Sequence, residues 1–171
     1  IAHSFSRDGH VLGVTEYSPT DTGVALLSLH DGALKPVVSS ATSPSLSPDG
    51  DWVAYASNES GRQEIYVRPT SGERGKWLIS TGGGVEPVWA RHGSEIFYRH
   101  GDQMLAVPVE TAAGFEHGTA HTLFTGAYDF DGQEDVANYD VTPDGQRFLA
   151  SVSAVVPPTT VVLNWQSGLE P

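Results

Sequence analysis

Short apolar segments recur along the whole chain, and turn-forming residues separate them. Several segments, such as Trp52-Val53-Ala54-Tyr55 and Val161-Val162-Leu163, are apolar at consecutive positions rather than at alternate ones. A strand with one solvent-exposed face alternates apolar and polar residues, whereas a strand covered on both faces does not. The pattern therefore predicts β-strands that are buried on both sides.

A short turn sequence joins many of these segments in pairs. It is clearest at Ser47-Pro48-Asp49-Gly50, where proline presets φ at the first corner and glycine supplies the left-handed position that closes a hairpin. Aspartate recurs at one position of the turn, which favours a hydrogen bond to the turn's own backbone over a catalytic role. Variants of the turn occur at Ser6-Arg7-Asp8-Gly9, Ala90-Arg91-His92-Gly93 and Thr142-Pro143-Asp144-Gly145.

The turns recur with a regular spacing. Their glycines lie roughly 40 to 50 residues apart, and a repeat of this length with four strands per unit is typical of propeller blades. We therefore predict an all-β fold, a β-propeller made of four-stranded antiparallel blades, with about four blades present. The whole of 1–171 forms one propeller segment, with blades at approximately 1–42, 43–84, 85–135 and 136–171. The last of these contains only three predicted strands, at 138–142, 147–152 and 160–164.

The large aromatic residues are interpreted as packing between blades, because aromatic side chains dominate such cores. These residues are Trp52, Tyr55, Tyr66, Trp89, Phe97, Tyr98, Tyr139 and Phe148.

The turn Ser47-Pro48-Asp49-Gly50, with the strand sequences at 52–57 and 64–68, resembles the TolB-like (WD-like) β-propeller repeats. The sequences at 75–84, 86–89, 138–141 and 161–165 are similar to the C-terminal propeller region of bacterial proteins linked to serine/threonine kinases. This resemblance implies a full propeller of about six blades, of which this chain would supply the last four. The kinase signatures themselves are absent, so the resemblance implies no kinase activity.

The net charge of −12, from 21 acidic and 9 basic residues, excludes some partners. Such a surface repels phosphate backbones, so we expect no nucleic acid. Cations, basic peptides and neutral ligands remain possible partners. The alternative is that the acidic surface binds no partner and only maintains solubility. The chain has no cysteine and no apolar run long enough to span a membrane, so we expect neither disulfides nor membrane insertion of this segment.

Catalytic and metal sites find little support in the sequence. A serine hydrolase of the α/β type needs a Gly-x-Ser-x-Gly elbow, and the chain has none. His117 and His121 have a spacing that would bring two imidazoles together on a helix, but Gly114 and Gly118 argue against a helix there. We expect no catalytic residues, no metal ligands and no cofactor.

A cluster of carboxylates occupies the connection that lengthens the third repeat. Closely spaced carboxylates on a loop can bind calcium, although the fragment is too short for an EF-hand. A solvated acidic loop is the alternative that we favour, because runs of charge usually stay hydrated. The cluster comprises Asp129, Asp131, Glu134 and Asp135.

We expect a non-catalytic protein- or ligand-binding module, a sensor or scaffold domain of a larger bacterial signalling protein. The loops between second and third strands share an end of a propeller with the connections between blades. That end is acidic, and its partner is expected to be a protein or peptide, with a basic one fitting best. The candidate partner-binding acidic face consists of Glu59, Glu86, His100, Asp102, Asp129, Asp131, Glu134 and Asp135.

Two alternatives to this function remain. One is an accessory propeller of a peptidase or lyase whose catalytic part lies outside this chain, and the other is a propeller with a purely structural role. Because an open arc of blades would expose apolar faces, we also expect either a longer parent chain or self-association of two arcs.

Overall fold

The computed structural model describes residues 1–72, 75–126 and 136–150, together with the backbone of a strand at 160–163. Within these ranges the regular structure consists of β-strands. In chain order they are β1 (Ala2–Phe5), β2 (Val11–Tyr17), β3 (Thr22–Ser28), β4 (Leu34–Ser39), β5 (Ala41–Leu46), β6 (Trp52–Ser57), β7 (Glu64–Pro69), β8 (Trp77–Leu78), β9 (Val85–Trp89), β10 (Glu95–His100), β11 (Gln103–Glu110), β12 (Glu116–His117), β13 (His121–Thr125), β14 (Tyr139–Val141), β15 (Arg147–Ala150) and β16 (Thr160–Leu163).

The strands form successive antiparallel sheets in the order of the chain. The first sheet is β1-β2-β3-β4 and the second is β5-β6-β7-β8. In the third, β9, β10 and β11 are followed by β13 as the outer strand, with the short β12 paired to the far end of β11. The fourth contains β14, β15 and β16. The predicted all-β fold of four-stranded antiparallel units is therefore confirmed.

The turn between the first two strands has the same geometry in each sheet. The glycine N–H donates to the carbonyl of the first turn residue, at 2.9 Å from Gly9 to Ser6 and from Gly50 to Ser47. The aspartate accepts from the backbone N–H two residues later, as Asp49 does from Asp51 at 3.1 Å. The turn aspartates therefore hold the turn itself, as the sequence predicts.

The third turn reaches the same geometry with different chemistry. His92 stands where the other turns have aspartate, and its Nδ1 lies 2.8 Å from the hydroxyl of Ser94 and 3.4 Å from the Ser94 amide nitrogen. The imidazole nitrogen thus takes the place of the carboxylate. The Gly93 N–H still closes the turn on the Ala90 carbonyl at 2.9 Å.

Consecutive sheets pack face to face through apolar side chains. Tyr55 of β6 packs with Val24 and Leu26 of the first sheet. Ala54, the neighbouring residue on β6, faces the opposite way and packs with Ile96 of the third sheet. The second sheet is therefore buried on both faces, as the runs of consecutive apolar residues predict.

Aromatic rings fill the spaces between the sheets. Phe97 and Phe148 meet edge to face with ring centroids 5.0 Å apart, which joins the third and fourth sheets. All eight aromatic residues assigned to packing are buried except the half-buried Trp52. Phe115 also belongs to this packing, although its sequence context did not indicate it: its ring centroid lies 5.3 Å from that of Trp52 and 5.2 Å from that of Trp77.

The first sheet has a second apolar face, which points away from the second sheet. Leu27 is paired in register with Leu12 on one side and Leu34 on the other, and Leu12 is paired with Phe5. Phe5 is 61% exposed and Leu34 is 44% exposed. The predicted self-association depends on this row of side chains, and it stays a prediction.

Replacing Gly50 with alanine tests the turn assignment. Gly50 has φ of 80°, and the nearest atom to an added Cβ is the Ser6 Cβ at 3.7 Å, so space is available and only the conformation is unfavourable. We expect a loss of about 1 kcal/mol or more in unfolding free energy, because the left-handed region disfavours a Cβ. Denaturant melts measure this loss.

Gly118→Ala is the matched control for this substitution. An added Cβ at Gly118 would make ordinary contacts of 3.6 Å with Pro108, and φ there is not left-handed. Equal stability of the two variants would contradict the turn assignment.

Candidate functional site

The sheets place their connecting segments at two opposite ends. The turn end carries the four turns between first and second strands. The loop end carries the hairpins between second and third strands and the connections from one sheet to the next, including 18–21, 58–63, 79–84 and 101–102. The described residues of the candidate acidic face, Glu59, Glu86, His100 and Asp102, belong to the loop end.

The structure separates the residues of the candidate acidic face into different environments. His100 and Asp102 are exposed at the end of β10 and in the hairpin that follows. Glu59 is exposed as well, and its carboxylate pairs with Lys76 at 2.5 Å. Glu86 is fully buried and does not contribute to an exposed face. Asp129, Asp131, Glu134 and Asp135 lie outside the described residues.

Glu86 is buried because an arginine and the fourth sheet satisfy its carboxylate. Arg99 Nη2 donates to Oε1 at 2.7 Å and Arg99 Nε donates to Oε2 at 3.0 Å. The Asn138 backbone N–H and side-chain amide approach the same carboxylate at 3.4 Å, and the Tyr139 hydroxyl donates to the Glu86 carbonyl at 2.8 Å. Glu86 therefore links the third sheet to the fourth rather than offering charge to a partner.

A second buried carboxylate at the loop end belongs to Glu64, a residue that no sequence motif singled out. It accepts from the Ser80 hydroxyl, from Arg62 Nε at 2.6 Å, and from the backbone N–H groups of Gly82 and Gly83 at 3.2 and 3.1 Å. Burial by itself raises the pKa of Glu64, but these hydrogen bonds outweigh burial and lower the pKa. The glycine-rich connection to the third sheet is thereby fixed to the hairpin before β7.

A polar groove lies at the loop end between the first and second sheets. Its volume is about 480 Å³, and its lining includes Asp21, Ser40 and Asn58. Two further lining residues, Thr42 and Gln63, have buried side-chain oxygens without a hydrogen-bond partner. The polar side chains of the groove are mainly hydroxyls and amides, which can both donate and accept hydrogen bonds.

Within the described ranges no group of three or more histidine, aspartate or glutamate side chains could hold a metal ion. A search of the same residues found no helix with the length and apolarity that crossing a membrane requires.

A large cleft is formed by the inner strands of the four described sheets. Its volume is about 1010 Å³, which is at the upper end of the range for ligand pockets, about 300–1,000 Å³. We call it the central cleft. Its lining includes His3 and Ser4 of β1, Ser45 of β5, Val88 of β9 and Asp140 of β14.

Side chains join the inner strands along this cleft. The Ser4 hydroxyl accepts from the Leu46 N–H at 2.9 Å, and the Ser45 hydroxyl accepts from the Trp89 N–H at 2.8 Å. The Tyr139 hydroxyl continues the series by its bond to the third sheet. These bonds fix the spacing of neighbouring inner strands, so the cleft is formed before any ligand enters.

Removing Arg99 tests the buried ion pair. Arg99→Met should destabilise the fold by about 3–5 kcal/mol, because the Glu86 charge stays buried without its partner. Arg62→Met is the matched control: the Arg62 side chain is 63% exposed, and the buried Glu64 carboxylate keeps its bonds to Ser80, Gly82 and Gly83, so the loss should be about 1 kcal/mol. Denaturant melts compare the two variants, and equal losses would contradict a structural role for the Glu86–Arg99 pair.

Acidification tests the hydrogen bonds to Glu64. Because its folded-state pKa lies below its ordinary value of 4.5, its contribution is fully present above that pH and is lost as pH falls through the lower folded-state value. The stability advantage of the parent over Glu64→Gln should therefore shrink as pH falls below 4.5. Melts of both proteins over a pH series measure this, and an advantage that grows on acidification would contradict it.

Comparison with solved structures finds this arrangement of sheets in distantly related sequences. TolB from Acinetobacter baumannii is similar with a TM-score of 0.67 and 15% identity, covering 94% of this chain and 39% of its own. An oligogalacturonate lyase in complex with manganese has a TM-score of 0.67 and 12% identity, with 96% and 50% covered. A chain of a nidogen/laminin complex has a TM-score of 0.63 and 14% identity, with 95% and 59% covered.

This chain thus spans between 39% and 59% of the length of these proteins. No protein-family model matches the chain, and no curated protein matches it. At such low identity the structural similarity establishes the fold. The chain has the fold of the TolB-like β-propellers.

Proposed function

We propose that this chain is a non-catalytic binding module that holds a protein or peptide segment in its central cleft. The observation that carries the proposal is the cleft itself, which all four inner strands line. It is the place where the repeated units act together, since each sheet contributes one strand to a single concave surface.

The cleft is suited to a polypeptide by its preorganisation and its chemistry. The hydroxyl bonds of Ser4 and Ser45 hold the inner strands in place, so a ligand need not order them on binding. Prolines and serines are both frequent in the lining, and Pro44, Pro48 and Pro87 are among the prolines. Apolar rings and hydroxyl groups together can contact both the side chains and the backbone of an extended segment.

The absence of a nucleophile elbow from the sequence supports a role without catalysis. One structural neighbour comes from a nidogen/laminin complex, so the same fold occurs within an assembly of proteins. A sensor or scaffold role in a larger signalling protein is the setting that we propose for the module.

The alternative is an accessory propeller of a peptidase or lyase, with the catalytic residues outside this chain. The oligogalacturonate lyase among the neighbours favours it. The parent reading frame discriminates between the two functions, since the alternative requires a catalytic domain in it.

Selection from a phage-displayed library of random peptides tests the proposed function. The immobilised chain should enrich peptides that bind in the cleft, and Ala2→Trp should abolish their binding because Ala2 is exposed and lines the cleft. Thr20→Trp is the matched control, since Thr20 is exposed and lines the polar groove at the loop end instead.

The melting temperatures of both variants are compared with that of the parent to verify that the variants fold. Failure to enrich any peptide would contradict the proposed function, and loss of binding in Thr20→Trp rather than Ala2→Trp would move the site to the loop end.

A further inference from the structure

The side chains that line the central cleft differ in charge from the chain as a whole. The chain carries 21 acidic and 9 basic residues, yet the lining of the cleft includes Arg7, Arg91, His3 and His92. Among the described residues, Asp140 is the one carboxylate that lines it. With histidine neutral, the two arginines outnumber the one carboxylate, so this lining has a small positive excess inside an acidic protein.

Arg7 and Arg91 occupy the same position in two different turns, the second residue of each four-residue sequence. In the other two turns this position is Pro48 and Pro143, and all four residues line the cleft. The second turn position therefore forms the rim of the cleft at the turn end, and two of its four members are arginines.

The turns that carry this rim are packed against one another. A Cβ on Gly50 would lie 3.7 Å from Ser6, and a Cβ on Gly93 would lie 3.8 Å from Pro48. Because each turn is also closed by its own backbone hydrogen bond, the bases of both arginine side chains are held on a fixed frame.

The two arginines are free to bind a ligand. Most of the described lysines and arginines have a partner, as Arg99 does with Glu86 and Lys76 with Glu59. Within the described part of the chain, neither Arg7 nor Arg91 makes an ion pair or a side-chain hydrogen bond, and both are exposed. Both guanidinium groups lack a partner among the described residues and line the cleft, so they are available to an anion that enters it.

We propose that the central cleft binds an acidic polypeptide segment whose carboxylates contact Arg7 and Arg91 at the turn end. This rests on the proposed function and specifies the chemistry of its partner, which is opposite to the basic partner expected from the loop end. A guanidinium group can donate two parallel hydrogen bonds to one carboxylate, so each arginine fixes one acidic side chain.

An acidic sugar is the competing ligand, because sugar rings are usually held against exposed aromatic faces and Phe5 in the lining is 61% exposed. The other two aromatic residues of the lining, Trp89 and Tyr139, are only 4% and 7% exposed, so a single ring is available to a sugar. Serine hydroxyls and proline rings make up much of the remaining wall.

Fluorescence anisotropy with a labelled oligoglutamate peptide tests the inference on the full chain. We expect saturable binding that weakens as NaCl rises from about 50 mM to about 500 mM, because screening reduces the attraction. Arg7→Gln and Arg91→Gln should each weaken binding about tenfold, since each removes a charge-assisted hydrogen bond.

Arg147→Gln is the matched control. Arg147 is exposed, follows the fourth turn and also lies at the turn end, but it does not line the cleft. It should leave the affinity of oligoglutamate within about twofold, because distant exposed charges are screened. An equal loss in all three variants would mean general attraction to a basic end and would overturn the inference.

Three further probes separate the remaining outcomes. Oligolysine should not bind the cleft, and inorganic phosphate should compete only weakly because it lacks the further contacts that a peptide makes along the cleft. Tighter binding of oligogalacturonate than of oligoglutamate would overturn the inference in favour of a sugar ligand. Failure of oligoglutamate to bind while the peptide library yields neutral or basic ligands would overturn the inference and leave the proposed function standing.

Discussion

The structure depends on burying the second sheet on both of its faces. Val53 and Tyr55 of β6 pack toward the first sheet, while Ala54 and Ala56 at the alternate positions pack toward the third. A sheet of this kind is stable only between two neighbours with matching apolar faces. The same packing brings the inner strands of successive sheets side by side, so the central cleft follows from the burial requirement rather than from a separate structural element.

Much of the fold could be predicted because its signals are local. Strand β6 has the bounds Trp52–Ser57 that its apolar run indicates, and each turn is specified by residues that bond within it. Phe115 could not be predicted in the same way. It lies in an irregular connection before β12, and its position among the rings of Trp52, Trp77 and Trp89 is set by contacts distant in sequence.

The candidate site was harder to predict, since a sequence shows charge but not burial. Glu86 is adjacent to a glycine-rich connection, which is typical of an exposed acidic residue, yet it has φ of 56° and is fully buried against Arg99. Its partner is 13 residues away on the neighbouring strand, so no short motif reveals the pair. Arg7 and Arg91 were visible as equivalent turn residues, but their position at the cleft required the curvature of the packed sheets.

The turn also explains how a repeated structural element can gain a ligand-binding side chain without losing stability. Its geometry is held by the first, third and fourth residues, as Ser47, Asp49 and Gly50 show through their mutual bonds. The second position of a type I turn favours proline but accepts most residues, and its side chain points away from those bonds. Arginine can therefore replace proline there at little cost to the fold. Because the packing of sheets carries that one position of every turn to the rim of a single cleft, substitutions tolerated separately in each repeat combine into one surface.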